Sequence, residues 1–154
     1  PNLKTLADSE ISELEKELEP IGLHRQRAKG LKEAAVYVEN RCNGSFPKTF
    51  KELLKVPHVG NYTAACILSF GMNISAPAID SNGQRIISRF FRKSVGEFSS
   101  SNKILAFSWD LVPGKEHVLF NYGLIDMGAI ICTYRGCSKE KCPLHIDCDT
   151  YQSK

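Results

Sequence analysis

Apolar residues recur every three or four positions along almost the whole chain. This spacing places apolar side chains on one face of an α-helix. No segment of useful length alternates between apolar and polar residues, which is the pattern typical of a half-buried β-strand. The pattern therefore predicts an all-α fold. The predicted helices lie near 11–18, 28–38, 48–55, 61–70, 86–91, 104–109 and 115–131.

The helix predicted near 115–131 is the last long helix before a cysteine-rich C-terminal segment. We expect it to bury one apolar face in the core. The residues expected on that face are Val118, Leu119, Tyr122, Ile125, Ala129 and Ile130.

Composition and charge are those of an ordinary soluble globular protein. The 154 residues are 42% hydrophobic and 24% charged, and this length allows one domain or two closely packed ones. No stretch approaches the roughly 20 apolar residues of a membrane span, so we expect no membrane association. The net charge of +3 is uneven, because residues 1–20 carry −4 and the remaining residues carry +7. The basic remainder permits a polyanionic partner such as nucleic acid, without requiring one.

The cysteines are also unevenly placed. Cys42 and Cys66 stand alone in helical segments, where small packing residues are the simplest interpretation. The other four cysteines crowd the C-terminal segment with the spacing C-x4-C-x4-C-x5-C. Such a cluster, in a sequence with no signal-peptide pattern, indicates a metal site rather than disulfides, either an iron–sulfur cluster or tetrahedral zinc. The candidate ligands are Cys132, Cys137, Cys142 and Cys148.

A tight hairpin between two helices is predicted at 54–64, which reads Leu-Lys-Val-Pro-His-Val-Gly-Asn-Tyr-Thr-Ala. An apolar helix end, a proline and a glycine turn lead almost at once into a second helix. The backbone N–H groups at that helix start carry partial positive charge and suit a phosphate. The alternative is a plain corner between helices. The candidate phosphate contacts are Val56, His58, Val59, Gly60, Asn61 and Thr63.

A second helix start follows at Asp80, where the chain reads Asp-Ser-Asn-Gly-Gln-Arg. An aspartate in this position is typical of a helix cap, which is one interpretation. The other interpretation is catalytic, because a carboxylate at this place can stabilise positive charge that develops on a substrate.

Together, the hairpin, the spacing to Asp80 and the cysteine loop resemble the helix-hairpin-helix DNA glycosylases. This superfamily includes endonuclease III and the mismatch-specific adenine and thymine glycosylases. The family hairpin usually reads Leu-Pro-Gly-Val-Gly, and here His58 replaces the first of its glycines. Histidine tolerates unusual backbone angles better than β-branched residues do, so we expect the turn to be kept.

The resemblance assigns roles to two residues. The family places its catalytic aspartate 18 residues after the nucleophilic lysine of its bifunctional members, and here Tyr62 and Asp80 occupy those two positions. Asn82 and Arg85 also fall at family-like offsets. Because tyrosine has no amine to form a Schiff base, the resemblance implies a monofunctional enzyme. Tyr62 would contact the extruded nucleotide or hydrogen-bond near Asp80, or would simply pack within its helix.

The resemblance also bears on the metal. Many relatives bind a 4Fe-4S cluster through C-x6-C-x2-C-x5-C directly after the last long helix. This chain keeps the total span but displaces the second cysteine by two residues, with Lys139 at the expected place. The resemblance implies a 4Fe-4S cluster, and zinc is the alternative.

The sequence looks closest to glycosylases that remove thymine or uracil opposite guanine. Segments that favour this class include 20–23, 111–114 and 120–121. Alternatives are an adenine glycosylase acting on A·G or A·8-oxoguanine, a noncatalytic DNA-binding module, and a zinc-organised protein-interaction domain. Adenine glycosylases use a catalytic glutamate on an early helix and often a further C-terminal domain, and neither is matched here.

The expected organisation is a mostly helical barrel over 1–114, with the hairpin at 48–71, followed by the long helix and the cysteine loop over 115–154. The resemblance implies that about fifty N-terminal residues of the family domain are missing. The expected partner is double-stranded DNA with a mismatched or damaged base, bound by a monomer. The expected location is the nucleoid-containing cytoplasm of a prokaryote or the nucleus of a eukaryote.

Overall fold

The computed structural model describes residues 2–96, 100–137 and 139–152. Helices dominate these residues, which confirms the all-α fold class. The chain falls into two compact units, Pro1–Ala64 and Ala65–Lys154. The boundary predicted at 114 stays a prediction. None of the described helices has both the length and the apolar character needed to cross a membrane.

The first unit is built around one long helix, α3 (His24–Arg41), against which two short helices, α1 (Leu3–Asp8) and α2 (Ile11–Leu18), pack. Small buried residues on α3, Ala28 and Ala35, allow this close approach. The helix α1 is absent from the predicted set, and the Asn2 side chain caps it by accepting the Thr5 N–H at 2.8 Å. The elements are α1 (Leu3–Asp8), α2 (Ile11–Leu18), a 3₁₀ turn (Glu19–Ile21), α3 (His24–Arg41), α4 (Phe50–Leu53) and α5 (Asn61–Cys66), whose last two residues belong to the second unit.

The second unit packs its helices around a core formed by Ile79, Ile87, Val95 and Ile104. One turn of π-helix continues directly from α5. A two-stranded antiparallel ribbon follows the last long helix. The elements are the π-turn (Ile67–Gly71), α6 (Ser81–Phe90), α7 (Arg92–Val95), α8 (Ser101–Leu111), α9 (His117–Ile130), β1 (Cys132–Thr133), β2 (Gly136–Cys137), a 3₁₀ turn (Lys139–Lys141) and α10 (Asp149–Gln152).

The face of α9 that enters the core differs from the predicted one. The structure buries His117, Asn121 and Gly128. Four residues expected to face inward are instead exposed, and Val118 and Ile125 are only half-buried. The prediction was wrong because α9 is apolar nearly all round, so that apolar spacing does not mark its buried side. The exposed members are Leu119 at 68%, Tyr122 at 51% and Ile130 at 72%, together with Ala129.

Candidate active site and cysteine loop

The predicted hairpin is present between α4 and α5. The Val56 N–H donates to the Leu53 carbonyl at 3.0 Å, and the Val59 N–H donates to the Val56 carbonyl at 3.1 Å. Val56 is 2% exposed, so its side chain anchors the turn, and any contact with a ligand would come from its backbone. Val59 is half-buried. The remaining candidates, which are exposed, are His58, Gly60, Asn61 and Thr63.

His58 has a φ of 62°, the left-handed conformation that favours glycine. The rest of the unit holds its ring in place. Nε2 lies 2.6 Å from Glu33 Oε2, and the ring covers Gly30, where an added Cβ would lie 3.3 Å from His58 Cγ. The hydrogen bond from His58, with a smaller effect from the charge of Lys29, lowers the pKa of Glu33. A side chain from α3 therefore supports the unusual residue in the turn.

Gly60 leaves open space at the start of α5. It is not among the residues with positive φ, and a Cβ added there would meet no heavy atom within 4 Å. The first N–H groups of any helix lack carbonyl partners within that helix and carry its partial positive charge. The hairpin thus offers an uncrowded approach to the amino end of a helix, as a phosphate requires.

Asp80 is the N-cap of α6. Its Oδ1 accepts the Gly83 N–H at 2.8 Å, and its Oδ2 accepts a hydrogen bond from Asn82 Nδ2 at 3.0 Å. The cap interpretation is therefore confirmed as a structural role. The same two bonds fix the orientation of a half-buried carboxylate at the positive end of a helix, and the catalytic role of Asp80 stays a prediction.

Arg85 connects this carboxylate to the cysteine loop. Its Nη2 donates to Asn82 Oδ1 and to the Gly128 carbonyl, each at 2.8 Å, while its Nε donates to the Cys132 carbonyl at 2.8 Å. A continuous chain of hydrogen bonds runs from Asp80 through Asn82 and Arg85 to the first cysteine of the loop. Sequence reasoning noted Arg85 by its offset and missed this connection.

Helix α9 approaches Asn82 closely at Gly128. A Cβ added to Gly128 would lie 2.5 Å from Asn82 Cβ, a separation that real Cβ atoms do not show. Only glycine at this position leaves Asn82 where it meets Asp80.

Tyr62 lies on α5 in the first unit and is 41% exposed. Asp80 belongs to the second unit. The role predicted for Tyr62 beside Asp80 stays a prediction.

The four predicted ligand cysteines line one apolar cavity of about 60 Å³. All four are free thiols. The pKa of Cys137 is raised by desolvation and then by the neighbouring thiols of Cys142 and Cys132. Four thiols that line one cavity are a suitable donor set for a metal group, whose positive charge would favour the thiolate form.

The unusual spacing of the first two cysteines has a structural explanation. Cys132 and Cys137 are directly paired across β1 and β2, so four intervening residues form a tight hairpin. The displaced second cysteine therefore still faces the cavity. The described residues contain no set of three His, Cys, Asp or Glu side chains arranged to hold a single metal ion. Ser138 and the side chain of Lys139 lie outside the described part of the chain.

The Arg89 side chain of α6 and the Lys93 backbone of α7 hold the cysteine loop in place. Arg89 Nη1 lies 3.3 Å from Cys132 Sγ and 2.8 Å from the Thr133 carbonyl oxygen. Asp149 Oδ2 accepts the Lys93 N–H at 2.8 Å, and this bond is the main reason why the pKa of Asp149 is lowered. The loop is thus fastened at both of its ends.

The chain is similar in sequence to several DNA glycosylases. The chain is 38% identical over 145 residues to the thymine/uracil-DNA glycosylase of Methanothermobacter thermautotrophicus, with 92% of this chain and 64% of that protein covered. It is 31% identical over 157 residues to the thymine-DNA glycosylase of Aeropyrum pernix, with 99% and 70% covered. It is 30% identical over 151 residues to the adenine DNA glycosylase of Buchnera aphidicola subsp. Baizongia pistaciae, with 98% and 43% covered. No protein-family model matches the chain.

The chain is also similar to solved structures of such proteins. The structure of a thermostable thymine-DNA glycosylase matches with a TM-score of 0.90 and 34% identity, covering 99% of this chain and 71% of that one. An endonuclease III–DNA complex matches in fold, with a TM-score of 0.79 and 24% identity over 99% of this chain and 70% of that one.

The chain therefore has an endonuclease III-like helical fold, which carries this hairpin, the capping aspartate of α6 and the four-cysteine loop. The chain belongs to the helix-hairpin-helix DNA glycosylase superfamily. It spans 64% of the length of the Methanothermobacter relative and 43% of the Buchnera relative.

Proposed function

We propose that the chain acts as a DNA glycosylase that removes thymine or uracil opposite guanine and leaves an abasic site. The observation that carries the proposal is the Asp80 carboxylate, fixed at the amino end of α6 by Gly83 and Asn82. The relatives named thymine/uracil-DNA and thymine-DNA glycosylases support this choice of base.

The proposed reaction is hydrolysis of the N-glycosidic bond. The bond between the base and C1′ of the sugar breaks, and the base leaves with the electron pair. The Asp80 carboxylate stabilises the positive charge that develops on the sugar and accepts the proton from the water that adds to C1′. The target nucleotide must leave the base stack, because C1′ is inaccessible in a stacked duplex.

The proposed enzyme does not cut the strand. Strand cleavage by a bifunctional glycosylase requires an amine that forms a Schiff base with the sugar. Tyr62 stands at the position of that amine and cannot supply it. The product is therefore an intact strand with an abasic site.

DNA is proposed to bind through the hairpin. The exposed His58, Gly60, Asn61 and Thr63 surround the amino end of α5, which suits a backbone phosphate. This contact depends on charge, so affinity should fall steeply with salt as counterions are released.

A second candidate substrate is adenine in a mismatch. The chain is 30% identical to the Buchnera adenine DNA glycosylase, which is the observation that favours it. A panel of duplexes with G·T, G·U, A·G and A·8-oxoguanine pairs distinguishes the two candidates directly.

We propose that Cys132, Cys137, Cys142 and Cys148 hold a 4Fe-4S cluster. A single zinc ion touches all four thiolates at about 2.3 Å, whereas a cluster with a separate iron for each cysteine fits thiols that surround open space. The cavity that all four cysteines line supports the cluster. When bound, the cluster supplies a cross-link between four points of the loop. A brown protein with broad visible absorption is expected, and a colourless zinc-containing protein would contradict the cluster.

The test of the function is base release by purified protein from the duplex panel, with and without alkali. We expect release of thymine or uracil opposite guanine, with strand breaks only after alkali. Asp80→Asn should slow release by about 10²–10⁴-fold while DNA is still bound. Asp110→Asn, which changes an exposed aspartate on α8, is the matched control and should leave the rate unchanged. Near-normal release by Asp80→Asn would show that the carboxylate assignment is wrong.

A further inference from the structure

Residues 76–79, which lead into Asp80, have no regular secondary structure, although all four are buried. Ala76 and Ala78 are 0% and 1% exposed, and Pro77 between them is also buried. Proline has no N–H and cannot take part in a hydrogen-bonded ladder. Buried backbone groups that lack partners are costly, so the groups flanking Pro77 require an acceptor and a donor from elsewhere.

The side chain of Asn121 provides both the acceptor and the donor. The Ala78 N–H donates to Asn121 Oδ1 at 3.0 Å, and Asn121 Nδ2 donates to the Ala76 carbonyl at 2.9 Å. Asn121 thus bridges the backbone on both sides of Pro77. It is 0% exposed, and it reaches this segment from the middle of α9.

Two further buried side chains, Ser69 and His117, hold Asn121 in place. The other proton of its amide is donated to Ser69 Oγ at 2.9 Å, and Ser69 Oγ lies 2.8 Å from His117 Nδ1. Since Ser69 accepts from Asn121, its own hydroxyl proton is available for His117 Nδ1. Ser69 and His117 are 0% and 2% exposed. Every hydrogen-bonding group of the Asn121 amide therefore has a partner, which locks its orientation.

From this geometry we infer that Asn121 is a positioning residue for Asp80, acting through the segment 76–79. This inference rests on the proposed function, in which Asp80 acts on the sugar. From Ala78 the chain runs through Ile79, a core residue, directly to Asp80. The bonds of Asp80 to Gly83 and Asn82 fix its carboxylate relative to α6, and Asn121 fixes the backbone that enters α6. Without Asn121, the carboxylate would keep its cap but lose its fixed place relative to a bound sugar.

The test uses Asn121→Leu, which keeps a similar volume and removes all three hydrogen bonds. Single-turnover base release is measured well below the melting temperature, together with DNA affinity. We expect the rate to fall by about 10²-fold, as for a misplacement of roughly 1 Å, with unchanged affinity for DNA. Ser108→Ala is the matched control, because Ser108 is equally buried in the second unit but bonds only within α8. It should lower stability without a comparable loss of rate.

A double-mutant cycle separates positioning from general damage to the fold. If Asn121 acts through Asp80, then Asn121→Leu has no further effect on the residual rate of Asp80→Asn. An equal loss of rate in both backgrounds, or a wild-type rate in the single variant, would overturn the inference.

Hydrogen exchange at the Ala78 amide provides a readout that does not depend on activity. The amide should be protected in the wild-type protein and in Ser108→Ala, and should lose protection in Asn121→Leu. A wild-type protein that releases no base from any duplex would refute the proposed function itself. Protection of Ala78 that is the same in Asn121→Leu would refute the bridging role of Asn121 in either case.

Discussion

The hairpin of the first unit (residues 54–64) and the Asp80 corner of the second unit (Asp80 with Asn82, Asn121 and Gly128) position their functional groups in different ways. The hairpin relies on a local turn closed by the Val59 N–H and on one half-exposed contact, from His58 to Glu33, which lies 25 residues earlier in the chain. The Asp80 corner relies on buried residues that are more than forty residues distant in sequence, among them Asn121 with its side-chain amide and Gly128 with its lack of a side chain.

This difference teaches how each region should respond to substitution. A turn held by local geometry with exposed side chains can exchange residues at small cost to stability, so its sensitivity should show mainly in ligand binding. The groups of the Asp80 corner are closely packed and hydrogen-bonded, so they cannot shift to accommodate a new side chain. Small changes there should therefore displace the carboxylate. Three substitutions test this contrast, beginning with the largest effect.

Gly128→Ala should slow base release by about 10²-fold. The new Cβ would lie 2.5 Å from Asn82 Cβ and 3.4 Å from Asn82 Cα, so Asn82 must move away from Asp80. Single-turnover kinetics measures the effect. Gly123→Ala, on the same helix but with no heavy atom within 4 Å of the new Cβ, is the control and should raise stability by about 0.5–1 kcal/mol. Equal rates in the two variants would show that the close approach of Gly128 to Asn82 does not affect the position of Asp80.

Gly60→Ala should leave thermal stability unchanged and weaken DNA binding about 10-fold, the loss expected when one charge-assisted hydrogen bond is blocked. The protein itself leaves the position open, so only a ligand that approaches the backbone would meet the new methyl group. Titration of labelled duplex at fixed salt measures the affinity. If binding is unchanged, phosphate does not approach the hairpin at this point.

Glu33→Gln should have the smallest effect, a change in how stability depends on pH. His58 holds the pKa of Glu33 below 4.5 in the folded protein, so its contribution is present above that value and is lost as the pH falls through the folded pKa. Urea unfolding on either side of pH 4.5 should therefore show a weaker acid dependence in Glu33→Gln than in the wild-type protein. Glu13→Gln, an exposed change on α2, should retain the wild-type dependence. Identical curves for the two variants would show that the contact with His58 does not contribute.

The same contrast explains what the sequence could predict. The hairpin was found because proline and glycine mark turns locally, and the positive φ of His58 matches the tolerance expected of histidine. The helix start at Asp80 was found for the same reason, since a cap and its helix are adjacent in sequence. The convergence of four cysteines followed from their spacing in one loop.

The supports of the Asp80 corner were missed because their partners are distant in sequence. Asn121 and its backbone partners are separated by 43 and 45 residues, and no local pattern connects them. A signal was nevertheless present in α9. The polar His117 and Asn121 lie four residues apart on one face of an otherwise apolar helix, and Gly128 continues that face two turns later. Polar and small residues, rather than leucines, mark the buried side of this helix.

The π-turn at Ile67–Gly71 has a consequence for aligning this chain with its relatives. A single turn with i→i+5 bonding accommodates one residue more than an α-helical path of the same length. In a relative whose helix continues without this turn, the path from the hairpin to the segment before the aspartate should therefore be one residue shorter. An alignment that places no gap there would pair Ser69 with a residue that faces a different side of the helix. Relatives that keep the 18-residue spacing found here between Tyr62 and Asp80 should therefore share the turn, and a gap within Ile67–Gly71 is needed only for a relative that is one residue shorter.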